Sequence, residues 1–272
     1  MSNNSKSLSI IFIITAFFIY GFNEYCFTFV NKIPCTAKAF TSDNLGNVYC
    51  TDGEHIIKYN SKGELQNTFS DYTLGPITSI DASNPLKIIV FYKDFNSILI
   101  LNNKLSPNGD NINLNALNIL LPTLVCTSHD NGFWVYDSQN TTLYRFDSNL
   151  QQNQKTEYIQ NLLSIKLNPT AIIEEGNFLY LNNPETGILI FDIYGSYIKT
   201  IPLKNIKLHQ IVNDNIIYSQ DNTLKVFNTK LLSDKILNIP ISNPISLRIE
   251  KTKAFIMTSS EINVYEMKKD CL

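Results

Sequence analysis

The stretch DNLGNVYCTDGEHIIKYNSKGELQ, from Asp43 to Gln66, decides the fold. A turn signal precedes a short apolar run, and after a second turn another apolar run ends in Tyr59-Asn60 before Lys62-Gly63. Short runs of β-branched and aromatic residues between Gly, Asn and Asp predict strands joined by tight turns. One such stretch fits any β-meander, so the fold depends on whether the pattern recurs.

The second apolar run of this stretch occurs six times along the chain. Its aromatic or large apolar residue returns at intervals of 42, 45, 45, 36 and 38, each time followed by a polar residue, at positions Tyr59, Leu101, Phe146, Phe191, Phe227 and Tyr265. Two further β-rich runs precede each copy, and a fourth run follows several of them. Four antiparallel strands in each of six repeats are typical of a β-propeller. We therefore predict an all-β, six-bladed β-propeller over residues 24–272.

The two ends of the chain predict how the ring closes. The sixth copy ends at Leu272 directly after its third strand, whereas the run Tyr25 to Ile33 precedes the first blade and belongs to none. Because an open sheet edge leaves backbone groups unpaired, we expect this run to pair with Glu261 to Met267. Cys26 and Cys271 would then be neighbours. An oxidising compartment would permit a disulfide between them, and two free thiols are the alternative.

The N-terminus carries an unbroken, uncharged apolar run from Leu8 to Phe22, preceded by a polar segment that contains Lys6. This run is shorter than the roughly 20 residues that a spanning helix needs. Its length is typical of the apolar core of a secretory signal. We predict that residues 1–23 are a signal peptide or an uncleaved membrane anchor. The protein would then be exported.

The composition excludes several classes of protein. The chain has 272 residues, of which 44% are hydrophobic and 17% charged, which indicates a globular protein. Its formal charge is −2, and its acidic and basic residues are interspersed. The sequence contains no block of basic residues, so it gives no indication of nucleic-acid binding. None of the five cysteines forms a C-x-x-C pair, which excludes a zinc knuckle and a thioredoxin-like motif.

The candidate binding site lies in the loops that join the second and third strands of each blade. These loops are polar and differ between blades, as expected of a specific binding face on a rigid frame. An aromatic residue beside charges is a reasonable interface anchor. A Phe folded back onto its own blade is the alternative for Phe95. The candidate residues are Tyr92, Lys93, Asp94, Phe95, Glu54 and His55.

A bound Ca²⁺ ion is the main cofactor to consider, because some six-bladed propellers bind Ca²⁺ in the central channel and hydrolyse lactones or phosphoesters. Ca²⁺ requires six to eight oxygen ligands. Acidic residues recur near the ends of the first strands, at Asp43, Asp81, Asp130, Glu174, Glu175, Asp214 and Glu250. Their spacing follows the repeat, so turn chemistry explains them without a metal. We therefore predict no cofactor and keep Ca²⁺ as the alternative.

No catalytic residue is predicted. The three histidines, His55, His129 and His209, lie in different blades, and no nucleophile motif accompanies any of them. Trp134 lies inside a second strand, where we expect it to pack between blades.

The quoted stretch resembles the repeats of NHL-type six-bladed propellers, which read D-x-x-G-N-x-Y-x-x-D followed by I-x-x-Y/F-x-x-x-G. Only the first copy keeps both Gly46-Asn47 and Lys62-Gly63. Residues Gly75 to Leu105 are also similar to a stretch of uncharacterised exported propeller proteins of Bacteroidota. That resemblance implies a Gram-negative envelope location, in the periplasm or on the periplasmic side of the outer membrane, and no particular activity.

These observations predict a non-enzymatic binding or scaffold module of the cell envelope. Its partner would be another envelope protein, contacted through the loop face, and the membrane would be contacted only through an uncleaved N-terminal segment. A Ca²⁺-dependent, lactonase-like hydrolase is the first alternative, and a propeller that binds a glycan or another small ligand is the second.

Overall fold

The structure is a computed structural model that describes residues 26–268 and 271–272. The predicted signal or anchor over residues 1–23 lies outside these ranges. Among the described residues, no helix has both the length and the apolar character needed to cross a bilayer.

The described chain folds into six four-stranded antiparallel sheets, as predicted. In order from first to last strand, blade 1 contains β2 (Ala39–Ser42), β3 (Val48–Thr51), β4 (His55–Tyr59) and β5 (Leu65–Ser70). Blade 2 contains β6 (Ser79–Asp81), β7 (Ile88–Tyr92), β8 (Ser97–Leu101) and β9 (Ile112–Asn113). Blade 3 contains β10 (Pro122–Thr127), β11 (Phe133–Asp137), β12 (Thr142–Phe146) and β13 (Gln152–Lys155). Blade 4 contains β14 (Ala171–Glu175), β15 (Phe178–Asn183), β16 (Gly187–Asp192) and β17 (Tyr197–Ile201). Blade 5 contains β18 (Lys207–Val212), β19 (Asn215–Gln220), β20 (Thr223–Asn228) and β21 (Ser233–Ile236). Blade 6 contains β22 (Ser246–Glu250), β23 (Lys253–Met257), β24 (Glu261–Met267) and, as its last strand, β1 (Phe27–Pro34). The first strands of neighbouring blades lie side by side and surround the centre of the ring.

Four short helical segments interrupt the connections between strands. They are 3-10 helices at Tyr72–Leu74, Lys93–Phe95 and Leu114–Leu117, and the single turn α1 at Ile159–Leu163.

Strand β1 closes the ring from the N-terminal side, which confirms the predicted pairing. It lies antiparallel to β24, with a register that runs from Phe27 opposite Met267 to Pro34 opposite Glu261. The structure joins Cys26 to Cys271 in a disulfide, with their Cα atoms 5.7 Å apart. The last blade is therefore assembled from both ends of the described chain.

The core consists of apolar layers between neighbouring blades. The second and third strands of blade 3 are buried along their whole length, because each of their two faces packs against an adjacent sheet. Trp134 is fully buried and packs with Leu179 and Leu181 of blade 4, as expected for a residue between blades. Burial of such a side chain contributes a few kcal/mol, on the order of 25 cal/mol per Å² of apolar surface.

The recurring polar residue after each third strand forms the same turn in five of the blades. Its side-chain oxygen accepts two hydrogen bonds, one from the backbone N–H two residues later and one from the backbone N–H three or four residues later. The accepting residues are Asn60, Asn102, Asp147, Asp192 and Asn228. Asn and Asp favour such turns because their short side chains mimic a backbone acceptor. The sequence repeat is therefore explained by turn geometry.

The disc has two distinct faces. The turn face carries the turns between first and second strands and between third and fourth strands. The loop face carries the loops between second and third strands and the connections between blades. All six candidate binding residues belong to blades 1 and 2 at or near the loop face.

Candidate functional site

The loop face exposes a run of large apolar side chains over consecutive blades. The run begins in the connection between blades 1 and 2, passes through the second-to-third-strand loop of blade 2, and ends in the connection between blades 3 and 4. We call these residues the apolar arc: Tyr72, Phe95, Leu120, Leu121, Tyr158 and Leu162, each 47–70% exposed. Exposed apolar residues that gather on one face of a soluble protein mark interaction sites more often than singly scattered ones do.

Tyr72 is held in place by His55, one of the candidate residues. The Asp52 carboxylate accepts hydrogen bonds from the backbone N–H groups of Glu54 and His55 and lies 3.0 Å from His55 Nδ1. These contacts, chiefly the backbone N–H of His55, lower the pKa of Asp52 to about 2. His55 Nε2 lies 3.0 Å from the Tyr72 hydroxyl, and the two rings meet edge to face. His55 therefore orients the Tyr72 ring on the surface.

Phe95 lies against the bare backbone of Gly75. A Cβ atom at Gly75 would lie only 2.7 Å from the Phe95 ring, and Gly75 has φ +70°. Glycine is suited to this position because it tolerates a positive φ and has no side chain. Phe95 thus contacts a neighbouring connection through one side of its ring while remaining 52% exposed. The ring therefore packs against the connection between blades 1 and 2 and stays accessible, and its role as an interface anchor stays a prediction.

The assignment of Tyr92 to the binding surface was wrong. Its side chain is 1% exposed and packs between blades 1 and 2 with Tyr49 and Leu99. Burial raises the pKa of the Tyr92 phenol, with a smaller contribution from Asp71. The cause of the error is that β7 extends through Tyr92 and is buried on both faces.

The remaining candidates, Glu54, Lys93 and Asp94, are exposed on the loop face. The Lys93 backbone N–H donates to Thr78 Oγ1 at 2.9 Å, which fixes the start of the 3-10 helix that carries Lys93 and Asp94. The structure therefore brings five of the six candidate residues to one side of the disc, around Tyr72 and Phe95.

Sequence reasoning identified Phe95 and missed the other five residues of the arc. Tyr158 borders a shallow depression of about 390 Å³ together with Leu162 and Lys155. Lys155 Nζ lies 5.2 Å from the centre of the Tyr144 ring and 5.9 Å from that of Tyr158. These five residues were missed because the prediction considered only the loops between second and third strands. The signal that could have found them is the presence of apolar residues in otherwise polar connections between blades.

The recurring acids have roles inside the fold. Asp43, Asp81 and Asp130 each accept the backbone N–H two residues later, as turn chemistry predicts. Glu174 differs, because its buried carboxylate accepts hydrogen bonds from Ser128, the His129 backbone and Trp134 of the adjacent blade. Within residues 26–268 and 271–272, no three side chains among His, Cys, Asp and Glu are grouped so that they could hold a metal ion.

The other two histidines also have structural partners. His129 Nδ1 lies 2.8 Å from the Glu174 carboxylate. His209 Nε2 lies 3.0 Å from Ser219 Oγ. Burial, with help from the nearby charges of Lys207 and Arg248, lowers the pKa of His209 to about 3. His209 is therefore neutral at physiological pH.

Comparison with known proteins supports the fold. No protein-family model matches this chain, and no curated protein matches it either. Among solved structures, a streptogramin B lyase matches with a TM-score of 0.59 and 14% identity over 89% of this chain and 97% of that chain. The WD40 domain of Neurospora crassa Pan2 matches with a TM-score of 0.57 and 14% identity over 85% and 79%. BBS1N, in a complex with ARL6DN, matches with a TM-score of 0.55 and 13% identity over 87% and 79%. At these identities the likeness establishes the propeller fold alone.

Proposed function

We propose that this chain is a non-enzymatic binding or scaffold module of a bacterial cell envelope, and that it engages another protein through the apolar arc. The observation that carries this proposal is the alignment of six exposed apolar side chains across consecutive blades of one face. Exposed aromatic residues that can be buried by a partner supply much of the energy of protein–protein interfaces.

The arc is built for binding because its aromatic residues are fixed before a partner arrives. The hydroxyl of Tyr72 is tied to His55, and the segment that carries it begins at Asp71, whose carboxylate accepts from the Thr73 N–H and hydroxyl. Phe95 is supported by Gly75. Side chains that are already ordered lose less conformational entropy on binding, which favours affinity.

The charges around the arc indicate the chemistry of the partner. Glu54, Asp94 and Glu157 are exposed on the loop face, and so are the cations Lys38, Lys93, Lys155 and Lys166. A partner surface with apolar side chains at its centre and charges of both signs at its rim would complement this pattern.

The envelope location is supported by the apolar run from Leu8 to Phe22 and by the similarity of Gly75 to Leu105 to exported propellers of Bacteroidota. The disulfide between Cys26 and Cys271 fits an oxidising compartment.

The comparisons support binding only at the level of the fold. The similar structure of BBS1N was solved in a complex with ARL6DN. The similar streptogramin B lyase is named as an enzyme. Fold alone does not assign function. We favour binding over Ca²⁺-dependent hydrolysis because the carboxylates that a Ca²⁺ site would use, such as Asp43, Asp81 and Glu174, already accept hydrogen bonds within or between the blades.

Affinity capture with a matched control tests the proposal. The tagged full chain is cross-linked in native envelopes, alongside the loop-face variant Y72A/F95A and the turn-face variant F178A/Y194A. Phe178 and Tyr194 are 41% and 64% exposed on the opposite face, so the two variants remove the same residue types. We expect a captured protein that is lost with the loop-face variant and retained with the turn-face variant. Equal capture by both variants, or no specific partner for the unmodified chain, would overturn the proposal.

A further inference from the structure

The closing strand β1 has a cysteine next to each of its ends. Cys26 directly precedes the strand and is joined to Cys271. Cys35 directly follows Pro34, the last residue of the strand, and is buried with 7% exposure. One end of the strand is therefore covalently fixed in the structure, and the other end carries a thiol.

Cys35 lies beside a second thiol in blade 1. Cys50, in β3, is 2% exposed and shares a buried cluster with Cys35 and Ile33. The chain turns back over β3 after Cys35, because the Lys38 N–H donates to the Thr51 carbonyl at 2.8 Å. Both residues are free thiols in the structure, and they lie in the same buried cluster, where their side chains are near enough to influence each other.

We propose that Cys35 and Cys50 form a second disulfide, which fastens the end of β1 to blade 1. The burial of these two thiols in one cluster, at the end of β1 that the Cys26–Cys271 bond does not fix, is the observation that carries the proposal. A second pair would leave a single cysteine unpaired. Cys126 is the fifth, is 3% exposed in blade 3, and packs with Trp134 and Leu179 rather than with another cysteine. Two disulfides and one isolated buried thiol then account for all five cysteines in the chain.

The oxidant is a small-molecule disulfide such as oxidised glutathione. The Cys35 thiolate attacks one glutathione sulfur and forms a mixed disulfide, and one glutathione thiolate leaves and is protonated. The Cys50 thiolate then attacks the Cys35 sulfur and releases the second glutathione. In sum, two protein thiols lose two protons and two electrons, and one glutathione disulfide becomes two glutathione thiols.

Cys35 is the better attacking group of the pair. It is more exposed than Cys50, and the hydrogen bond from Cys50 lowers the pKa of its thiol, whereas the pKa of Cys50 is raised by the same bond and by burial. Because both thiols are shielded in the folded ring, we expect oxidation during folding or during local opening of the segment that follows β1.

Thiol counting by mass spectrometry tests the proposal on the full chain. The purified protein is unfolded and refolded in a mixture of oxidised and reduced glutathione, then denatured without reductant and alkylated. We expect one alkylated cysteine per chain, Cys126, and a peptide pair that links Cys35 to Cys50. Three alkylated cysteines, with Cys35 and Cys50 labelled separately, would overturn the proposal.

Single substitutions supply the controls. We expect C50S to leave Cys35 and Cys126 alkylated and to lower the melting temperature under oxidising conditions by about 5–10 °C, because it reopens a short loop. C126S should remove the last alkylated thiol and keep both linked pairs. If C50S does not fold, the variant C26S/C271S replaces it as the test of the Cys35–Cys50 pair. Oxidation of that variant should leave only Cys126 free for alkylation. Alkylation of all three remaining cysteines there would count against the pair. This test does not depend on the proposed binding function.

Discussion

The two faces of this propeller are built by different rules. On the turn face, the same Asn or Asp side chain closes the turn between third and fourth strands in five blades, with nearly the same hydrogen bonds each time. On the loop face, connections of different length carry a 3-10 helix after blade 1, another after blade 2 and the helical turn α1 after blade 3. The repeated face maintains the fold, and the variable face is where a specific activity can reside.

The largest effect on stability should come from the hydrogen bonds that join blades near the turn face. Glu174→Ala removes the acceptor of the Trp134 indole N–H and of two groups in the loop after β10. Buried donors left without partners cost about 1–3 kcal/mol each, so we expect a loss of about 3 kcal/mol in the free energy of unfolding by urea. Glu174→Gln keeps a carbonyl acceptor and should lose less. Equal losses for Ala and Gln would mean that the hydrogen bonds do not matter.

Next in size is the effect of the loop face on binding. Once a partner is identified, Y72A/F95A should weaken its dissociation constant by about 10–100-fold, whereas the free energy of unfolding should change by no more than about 1 kcal/mol because both rings are half exposed. Titration calorimetry and urea unfolding measure the two quantities on the same samples. A large stability loss with unchanged binding would reverse the assignment of roles to the two faces.

The interior between the faces should respond to acid through His209. Its pKa is about 3 in the folded protein and about 6.5 when unfolded, so protonation favours the unfolded chain. The stabilising contribution of neutral His209 is complete above pH 6.5 and declines as the pH falls toward 3. At pH 5 the decline should reach about 2 kcal/mol. His209→Gln should flatten this part of the curve of unfolding free energy against pH, and an unchanged curve would contradict the burial argument.

The smallest effect should come from a single turn. Asp192→Ala removes the acceptor of the Tyr194 and Ser196 backbone N–H groups, which we expect to cost about 1 kcal/mol of unfolding free energy without any change in binding. Asp192→Asn is the matched control, because Asn fills the same position in three other blades. A loss for the Asn variant as large as for the Ala variant would show that the carboxylate charge, rather than the turn, is what matters.

The difference between the faces also explains how far the sequence could be interpreted. Positions such as Tyr59 and Asn60 recur because each blade has a large apolar residue near the end of its third strand and five blades form the same turn after it, so the number of blades and the closure by β1 were predictable. The apolar arc was not, because Tyr72, Leu120 and Tyr158 lie in connections that share no common pattern. Only the fold places these connections on the same face of the disc.

Two further features depend on three-dimensional contacts that the pattern could not supply. Because the charged residues Lys93 and Asp94 follow Tyr92, the sequence predicts that Tyr92 lies in the loop. In the structure β7 extends through Tyr92, and its ring packs between two blades. Cys35 and Cys50 lie on either side of a turn of the chain between β1 and β3, and only the pairing of β2 with β3 brings them together.

The joining of Cys26 to Cys271 determines how the molecule bears mechanical force. A pull applied at these two residues passes directly through the covalent bond between their sulfurs, and the chain of blades between them carries no tension. Under a pull applied there, the propeller remains folded for as long as that bond is oxidised. Reduction would transfer the tension to the hydrogen bonds between β1 and β24, which are arranged so that they open one pair at a time from the ends nearest Phe27 and Met267.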